Sequence, residues 1–493
     1  MMHWRAEPVP SSTPARSRRP MPPARPASPQ SADRSLLVRM LTMAIAALLT
    51  ANGVIVAEQA SGRDLITLGR DGVDNAREAI ARLLDDSATP TKVAGEVVER
   101  PTSTTAPAET TTTTGSAGVV PPPPVETPTS GPAATAPPTT ATTAKKPPKS
   151  DGTDWVRVSD TVRPYVEKET SLPFKGAVPV AVLDAGAFTA RLNAARLNPA
   201  MERARRAEAT LKTLGIVEPD VNLAEQVKRL STGSVTAFYD VKANELVVRD
   251  GQLTPFVLKT IVHELVRADY DQHFELDRPD LVMPDDETGT AWDTLVEGAA
   301  KRIEDRFIAA LPEKDKQSVK AEQQRLAGQL PKDLPDYVLV QYAFPFGSGP
   351  RFADALMGNG GAARVNAAFQ APPRTTEQII HPDLFLAGEG PKPLADPAAD
   401  GPAVRSGSLG QLMLSLMLAQ VLDPGDAESA ADSWGGDRYV AWQNGGQTCV
   451  RLAITMDTPE KAAEMGAALA DWAQNTPGAT VAGQGPFTVT RCA

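Results

Sequence analysis

The residues with the clearest potential for chemistry are His263 and Glu264, in the segment 261–267, IVHELVR. In the H-E-x-x-H pattern two histidines one helical turn apart bind zinc, and the glutamate between them activates a water molecule. Here Arg267 stands at the position of the second histidine. A guanidinium stays protonated and has no lone pair to donate, so it cannot coordinate zinc. The segment therefore predicts the outline of a zinc site in which a cation replaces one ligand.

Glu297 is the candidate for a third ligand of such a site. It lies in the segment 295–299, LVEGA, within a stretch of helical periodicity from 290 to 311. Zinc sites of the gluzincin type take this ligand from a glutamate on a helix downstream of the H-E-x-x-H helix. The neighbouring Gly298 would let the two helices approach closely. A predicted strand hairpin at 234–251 precedes both helices, which is the order that a minimal zincin core requires.

Several segments together resemble an actinobacterial family of exported zinc metallopeptidases, over residues 178–394. The segment 263–274 is HELVRADYDQHF where members of that family typically have HELTHALQDQHF. The segments 344–346 (FPF) and 376–382 (TEQIIHP) add to the likeness. The resemblance implies a zincin-like domain. The chain departs from the family at four nearby positions, Val266, Arg267, Asp269 and Tyr270.

The resemblance also implies roles for individual residues. His263 and Glu297 would be metal ligands, Glu264 would be the general base, and His381 would be an accessory group that stabilises the oxyanion. Because Arg267 replaces the second histidine ligand, we expect no cofactor, the alternative being zinc.

Arg267 itself is expected to substitute for the metal. In helical geometry it neighbours Glu264 three residues before it and Asp271 four residues after it. If the fold also brings Glu297 to this place, the guanidinium can pair with both glutamates, and a buried carboxylate cluster needs such a cation. The sequence thus predicts an ion-pair network of Arg267, Glu264, Glu297 and Asp271. A rearranged metal site and a solvent-facing arginine are the alternatives.

Residues 36–57, LLVRMLTMAIAALLTANGVIVA, form the segment most apt to cross a membrane. A helix of this length spans a bilayer core of about 30 Å. The arm at 1–35 is rich in arginine, so the positive-inside rule predicts a cytoplasmic N-terminus and an extracytoplasmic C-terminal part. We expect a retained single-pass anchor at the cell membrane. A cleaved signal peptide and a buried core helix are the alternatives.

The rest of the chain divides by composition and periodicity. Residues 58–100 include a short amphipathic helix close to the membrane, and residues 101–150 form a Pro/Thr-rich spacer with little apolar surface to bury. Residues 151–400 are expected to form the zincin-like domain. Residues 401–493 follow a strand, strand, helix, strand order and predict a small C-terminal β-β-α-β unit. The predicted fold class is therefore α+β.

Cys449 and Cys492 lie in two strand-like segments near the C-terminus. Adjacent strands could place the two sulfur atoms within bonding distance, and an exported chain meets an oxidising environment. We therefore expect a disulfide. Two reduced, buried thiols are the alternative.

The net charge of -10 argues against nucleic acid as a partner, since phosphate-binding surfaces need clustered Lys and Arg. With one zinc ligand lost, the sequence favours a degenerate metallopeptidase homologue that binds a peptide or an envelope protein, or serves as a scaffold. The alternative is an active zinc metallopeptidase that uses Glu264 as its general base. A third interpretation is a passive structural protein that spans the cell wall.

Overall fold

The computed structural model describes residues 153–231, 235–282 and 286–493. The predicted basic arm (1–35), membrane segment (36–57), juxtamembrane segment (58–100) and spacer (101–150) lie outside these residues. Within the described ranges, none of the helices combines the length and apolar character needed to cross a bilayer. The described part is α+β, with many helices and two separate sheets.

The first sheet has three strands in the order β1-β3-β2, comprising β1 (Val180–Leu183), β2 (Ala237–Asp240) and β3 (Glu245–Arg249). Strand β3 runs parallel to β1 and antiparallel to β2. The turn between β2 and β3 ends at Asn244, whose φ of 52° is in the left-handed region that Asn tolerates. The predicted hairpin is confirmed.

Helices pack against this sheet and against one another, and they form most of the described residues up to 387. They are α1 (Trp155–Thr170), α2 (Ala185–Leu192), a π-helical turn (Asn193–Leu197), α3 (Asn198–Thr213), α4 (Leu223–Ser231), α5 (Pro255–Phe274), α6 (Pro279–Val282), α7 (Asp286–Ala310), α8 (Glu313–Ala327), α9 (Asp336–Gly347), α10 (Gly349–Gln370), α11 (Thr376–Ile380) and α12 (Pro382–Ala387).

Helix α5 carries His263 and Glu264 and is a core helix. Thr254 caps it by accepting a hydrogen bond from the backbone N–H of Val257 at 3.2 Å, and Pro255 suits the first turn. Almost every residue from Phe256 to Asp271 is buried, because α5 packs on β2 on one side and on α7 on another. The predicted helix around His263 and Glu264 is confirmed, and the charged residues of α5 must find partners inside the protein.

Helix α7 carries Glu297 and packs closely against the beginning of α10. A Cβ atom added at Gly349 would lie 2.6 Å from the Cα of Gly298, so only glycine at both positions allows the two backbones to meet. Gly298 therefore allows α7 to pack closely against α10. The expectation that Gly298 allows α7 to approach α5 is wrong.

The C-terminal part contains a five-stranded sheet. Its elements are β4 (Ala403–Gly407), α13 (Gly410–Leu418), α14 (Pro424–Ala431), β5 (Trp434–Asn444), β6 (Gln447–Met456), α15 (Pro459–Asn475), β7 (Thr480–Ala482) and β8 (Phe487–Cys492), with strand order β4-β5-β6-β8-β7. The β5-β6 turn has two glycines with positive φ, Gly445 and Gly446. Cys449 on β6 pairs with Cys492 on β8, and their sulfur atoms are bonded.

One hydrophobic core serves both parts of the chain. The same cluster of buried residues includes Trp155 and Leu265 from the helical part and Leu414 and Trp472 from the C-terminal part. Helix α13 is buried along its whole length, and the Asp437 carboxylate on β5 accepts hydrogen bonds from the backbone N–H groups of Leu409 and Gly410 at its start. The C-terminal sheet therefore helps to hold the helices that position the candidate site.

Candidate functional site

Two facing helices place a row of alternating charges inside the protein. Residues Lys259, His263 and Arg267 follow one another at four-residue intervals along α5, so they share one face of that helix. Glu297 and Glu304 share a face of α7 at seven-residue spacing. The two faces meet because α5 packs along α7. We call this row of five residues, with Glu264, the charge ladder.

Arg267 occupies the sequence position at which an H-E-x-x-H motif has its second histidine. Its Nη1 pairs directly with Oε1 of Glu297, and its Nε lies 3.7 Å from Oε2 of Glu264. Burial by itself would raise the pKa of Glu297, but the charge of Arg267 and the contact with His263 outweigh it and lower that pKa to about 2. Of the predicted network members, the structure therefore brings Arg267, Glu264 and Glu297 together.

His263 is enclosed by two carboxylates. Its Nε2 lies 3.1 Å from Oε2 of Glu297, and its Nδ1 lies 3.0 Å from Oε2 of Glu304. Burial favours the neutral imidazole, but the two carboxylates outweigh burial and raise the pKa of His263 to about 9. Nε2 is hydrogen-bonded to Glu297, whereas Nδ1 is at ion-pair distance from Glu304 without hydrogen-bond geometry. The raised pKa favours the imidazolium at neutral pH, and in that form neither nitrogen has a lone pair for a metal.

Glu304 and its lysines complete the charge ladder, and sequence reasoning missed them. Glu304 is 1% exposed and pairs with Lys259, which is 0% exposed, at 3.2 Å. Lys301 adds a second cation at 3.7 Å. Burial would raise the pKa of Glu304, but Lys259 and Lys301 lower it to about 2. The available signal was spacing, since Lys259 precedes His263 by four residues and Glu304 follows Glu297 by seven.

The carboxylate of Glu264, the expected general base, is engaged by protein groups. Its Oε2 accepts a hydrogen bond from the backbone N–H of Tyr239 at 2.9 Å and another from Nη2 of Arg196 at 2.8 Å. Tyr239 belongs to the edge strand β2, and Arg196 belongs to the π-helical turn. Sequence reasoning missed both partners, because neither is close to Glu264 in the chain.

Asp271 does not join the ladder as expected. It accepts hydrogen bonds from the Tyr239 hydroxyl and from the backbone N–H of Leu276, both at 2.8 Å, and it forms no direct pair with Arg267. The reason is that Asp271 lies in the last turn of α5, where its carboxylate binds the backbone N–H of Leu276 just after the helix ends. Burial raises the pKa of Asp271.

His381 also lies apart from the charge ladder. It caps the end of α11, where its Nε2 lies 3.1 Å from Oδ1 of Asp432 and 3.4 Å from Nε2 of Gln411. Both partners belong to the C-terminal part of the chain. These contacts give no support to the expected role of His381 beside Glu264 and His263.

The residues at this site do not fit a zinc ion in the observed arrangement. A guanidinium occupies the second ligand position, and both nitrogens of His263 face carboxylates. Across residues 153–231, 235–282 and 286–493, no group of three or more His, Cys, Asp or Glu side chains is arranged to hold a metal ion. The arrangement instead neutralises buried charges, because every carboxylate of the ladder contacts at least one cation.

Comparison with known protein families finds a match for the C-terminal part of the chain. Residues 399–492, from just before β4 to the end of β8, match the family described as a domain of unknown function, DUF8575. A search of the curated proteins and a search of the solved structures returned no match. The matched segment covers the five-stranded sheet and leaves out the charge ladder.

Proposed function

We propose that this chain is a degenerate, non-catalytic homologue of zinc metallopeptidases that acts by binding or scaffolding at the outer face of the cell membrane. The observation that carries the proposal is the contact of the Arg267 guanidinium with Glu297, at the place where a second histidine and zinc would be needed. A zincin-like arrangement is part of this proposal. It is supported by the order of hairpin, His-Glu helix and Glu helix, and by the convergence of His263, Glu264 and Glu297.

Loss of peptidase chemistry follows from the charges at the site. A peptidase of this type needs neutral His263 as a ligand and needs Glu264 to take a proton from a metal-bound water. Here His263 is held as an imidazolium, and Oε2 of Glu264 is occupied by Arg196 and the Tyr239 amide. The same residues that would perform catalysis instead stabilise one another, so the fold can persist without the metal.

The location and partner belong to the same proposal. The apolar segment 36–57 would anchor the chain, and the spacer at 101–150 would hold the folded part away from the membrane. A peptide or an envelope protein is the partner that a former peptidase cleft would suit. The net charge of -10 favours such a partner over nucleic acid.

The second candidate function is an active zinc metallopeptidase. It is favoured by the convergence of one histidine and one glutamate ligand position with Glu264 beside them. In that case zinc would have to displace Arg267 from Glu297 and a proton from His263. The two functions therefore differ in whether the purified protein binds zinc.

Metal analysis of the purified full-length protein, together with its melting temperature with and without a chelator, separates the two candidates. We expect less than stoichiometric zinc and no change in melting temperature with chelator. We also expect Arg267→His to bind zinc more tightly than the wild type in calorimetric titration, since it restores the second imidazole. One equivalent of zinc in the wild type, with chelator-sensitive proteolysis, would establish the enzyme instead.

A further inference from the structure

The segment 189–203, which we call the strap, is tied to both helices of the candidate site. Arg196 of the strap pairs with Glu264 on α5 at 2.8 Å, and Arg203 lies 4.0 Å from Asp293 on α7. The strap runs from the end of α2 through the π-helical turn into α3. Its arginines therefore connect it to the two helices whose facing sides carry the charge ladder.

The strap is less deeply buried than the helices that it contacts, although Arg191 ties its first turn to Asp240 at 2.7 Å. None of its residues from 189 to 203 is fully buried, whereas most of α5 and α7 is. Its centre, Asn193–Leu197, is a π-helical turn, a rare conformation that is concentrated at functional sites. The Arg196 side chain is 30% exposed, although Leu197 beside it packs on the core. Arg196 can thus leave Glu264 by rotation of its own side chain, without unfolding α5 or α7.

The groups that hold Arg196 are those that recognise a guanidinium. Glu264 is 3% exposed and supplies a charged acceptor, while the ring of the fully buried Phe238 lies 5.4 Å from the Arg196 guanidinium carbon. A carboxylate beside an aromatic face binds the planar guanidinium better than a lysine ammonium. The Tyr239 amide fixes the orientation of the carboxylate. These groups belong to β2 and α5, so they stay in place when the Arg196 side chain moves.

We propose that Glu264 and Phe238 form a binding site for an arginine side chain of a partner peptide, and that Arg196 fills this site from within the chain until the partner displaces it. The inference deepens the proposed function, on which it rests, because it gives the former general base a binding role. Displacement replaces one guanidinium with another, so the buried Glu264 keeps a cationic partner throughout and no uncompensated charge is created.

Chemical rescue of Arg196→Ala in the full-length protein tests the site. Removing the side chain should lower the melting temperature by a few degrees, since Glu264 loses a charged hydrogen bond. Ethylguanidinium and the tripeptide glycyl-arginyl-glycine at millimolar concentration should recover most of this loss. Ethylammonium and glycyl-lysyl-glycine should recover much less.

Arg205→Ala is the matched control. Arg205 lies on α3, is half exposed and pairs with Glu202 of the same helix. Its loss should therefore leave no buried carboxylate to which ethylguanidinium could bind. An equal response of both variants to ethylguanidinium, or no response in Arg196→Ala, would overturn the arginine site.

Two further measurements keep the test decisive. If Arg196→Ala does not fold, the tripeptide titration is made on Arg196→Gln and on the wild type, where amide hydrogen exchange of residues 193–197 should increase on binding. A wild type that neither binds the tripeptide nor changes its exchange would contradict the inference. Zinc binding by the wild type would overturn the proposed function separately, since the tripeptide experiments contain no metal.

Discussion

At the residue scale, Arg267 lies towards one end of the charge ladder, between Glu297 and Glu264. Its guanidinium contacts Glu297, which also accepts from His263, and lies near Glu264 on the other side. Removing an ion from water costs several kcal/mol, and the cost is offset only when each buried charge has a partner. The alternation of cations and anions along α5 and α7 meets this condition for each carboxylate of the ladder.

Replacing Arg267 by alanine should therefore destabilise the protein strongly. Breaking a buried ion pair leaves an uncompensated charge and costs about 3 to 5 kcal/mol, and because Glu297 is 19% exposed we expect about 3 kcal/mol. Urea unfolding of the wild type and the variant measures this difference.

Arg278→Ala serves as the control for this loss. Arg278 is 27% exposed, pairs with Asp280 and lies over the Trp292 ring, so its loss should cost about 1 kcal/mol for the pair and a similar amount for the ring contact, less than the loss of Arg267. Equal losses in the two variants would mean that Arg267 acts as an ordinary surface arginine.

Protonation of His263 should make stability depend on pH on the alkaline side. The folded-state pKa of about 9 is above the ordinary value of 6.5, so the folded protein binds more protons than the unfolded chain between these values. The contribution is fully present below pH 6.5 and is lost as the pH rises through 9. Thermal melting of the wild type between pH 6 and 10 should show this decline, which His263→Gln should reduce.

Glu377 also lowers the stability of the fold as the pH rises, but over a lower pH range than His263. The two contributions must therefore be measured separately. Burial and nearby carboxylates, Asp457 first among them, raise the pKa of Glu377 to about 8. The stability that protonated Glu377 contributes is therefore lost as the pH rises from 4.5 to 8. This loss remains in the His263→Gln variant. An unchanged slope between pH 8 and 9 in that variant would contradict a charged His263.

The sequence predicted part of the site. The contacts that it could not predict are those between elements far apart in the chain. The neighbours of Arg267 within α5 follow from helical spacing, and Glu297 from its place on the next long helix. The seven-residue spacing places Glu304 on the same face as Glu297, but the pairing of Glu304 with Lys259 and the contact of Arg196 with Glu264 could not be predicted, because spacing within one helix does not show how a second element is placed against it. The expected role of His381 came from the resemblance of the segment 376–382. A short sequence motif does not indicate how far its residues lie from Glu264 in the fold.

At the element scale, the position of α7 depends on its contact with α10. Gly298 and Gly349 let the two backbones touch, and a side chain at either position would force the helices apart. Since α7 carries Glu297 and Glu304, any shift of α7 also disturbs the charge ladder.

Gly298→Ala should destabilise the protein by about 3 kcal/mol, because overpacking at a close contact displaces the backbone. Gly358→Ala is the matched control, since a Cβ at Gly358 meets nothing within 4 Å and the position is helical. Alanine there should be neutral or stabilise by up to about 1 kcal/mol. Unfolding free energies from urea titration test the pair, and similar values for both variants would refute the contact.

The elements themselves were predicted well where local signals are strong. The Thr254-Pro255 start of α5 and the glycine turn between β5 and β6 follow from capping and turn preferences. At Gly360 and Gly361 the backbone angles are not helical, so α10 consists of two helical segments that meet at this glycine pair. Such an interruption is what paired glycines in a helical sequence indicate.

At the scale of the whole molecule, the C-terminal sheet and the helical part share one core. The expected β-β-α-β unit is present, but β4 and β7 extend its sheet on both edges. Strand β4 is separated from its partner β5 by two helices, so pairing across that distance in the chain could not be deduced from periodicity. The shared core also means that stability of the sheet and of the site are coupled.

Loss of the disulfide should therefore lower the stability of the described fold. The bond closes a segment of 43 residues, for which the chain-entropy relation gives about 4 kcal/mol. The double variant Cys449→Ser, Cys492→Ser should unfold at lower urea concentration than the wild type, and reductant should shift only the wild type. Identical midpoints for the oxidised wild type and the double variant would contradict this expectation.

A crystal structure of the protein grown with excess zinc, with anomalous data collected at the zinc edge, decides whether Arg267 or zinc binds Glu297. We expect no anomalous peak between His263 and Glu297, and a guanidinium of Arg267 that contacts Glu297. A zinc ion bound to Nε2 of His263 and to the Glu297 carboxylate, with Arg267 displaced, would contradict that expectation.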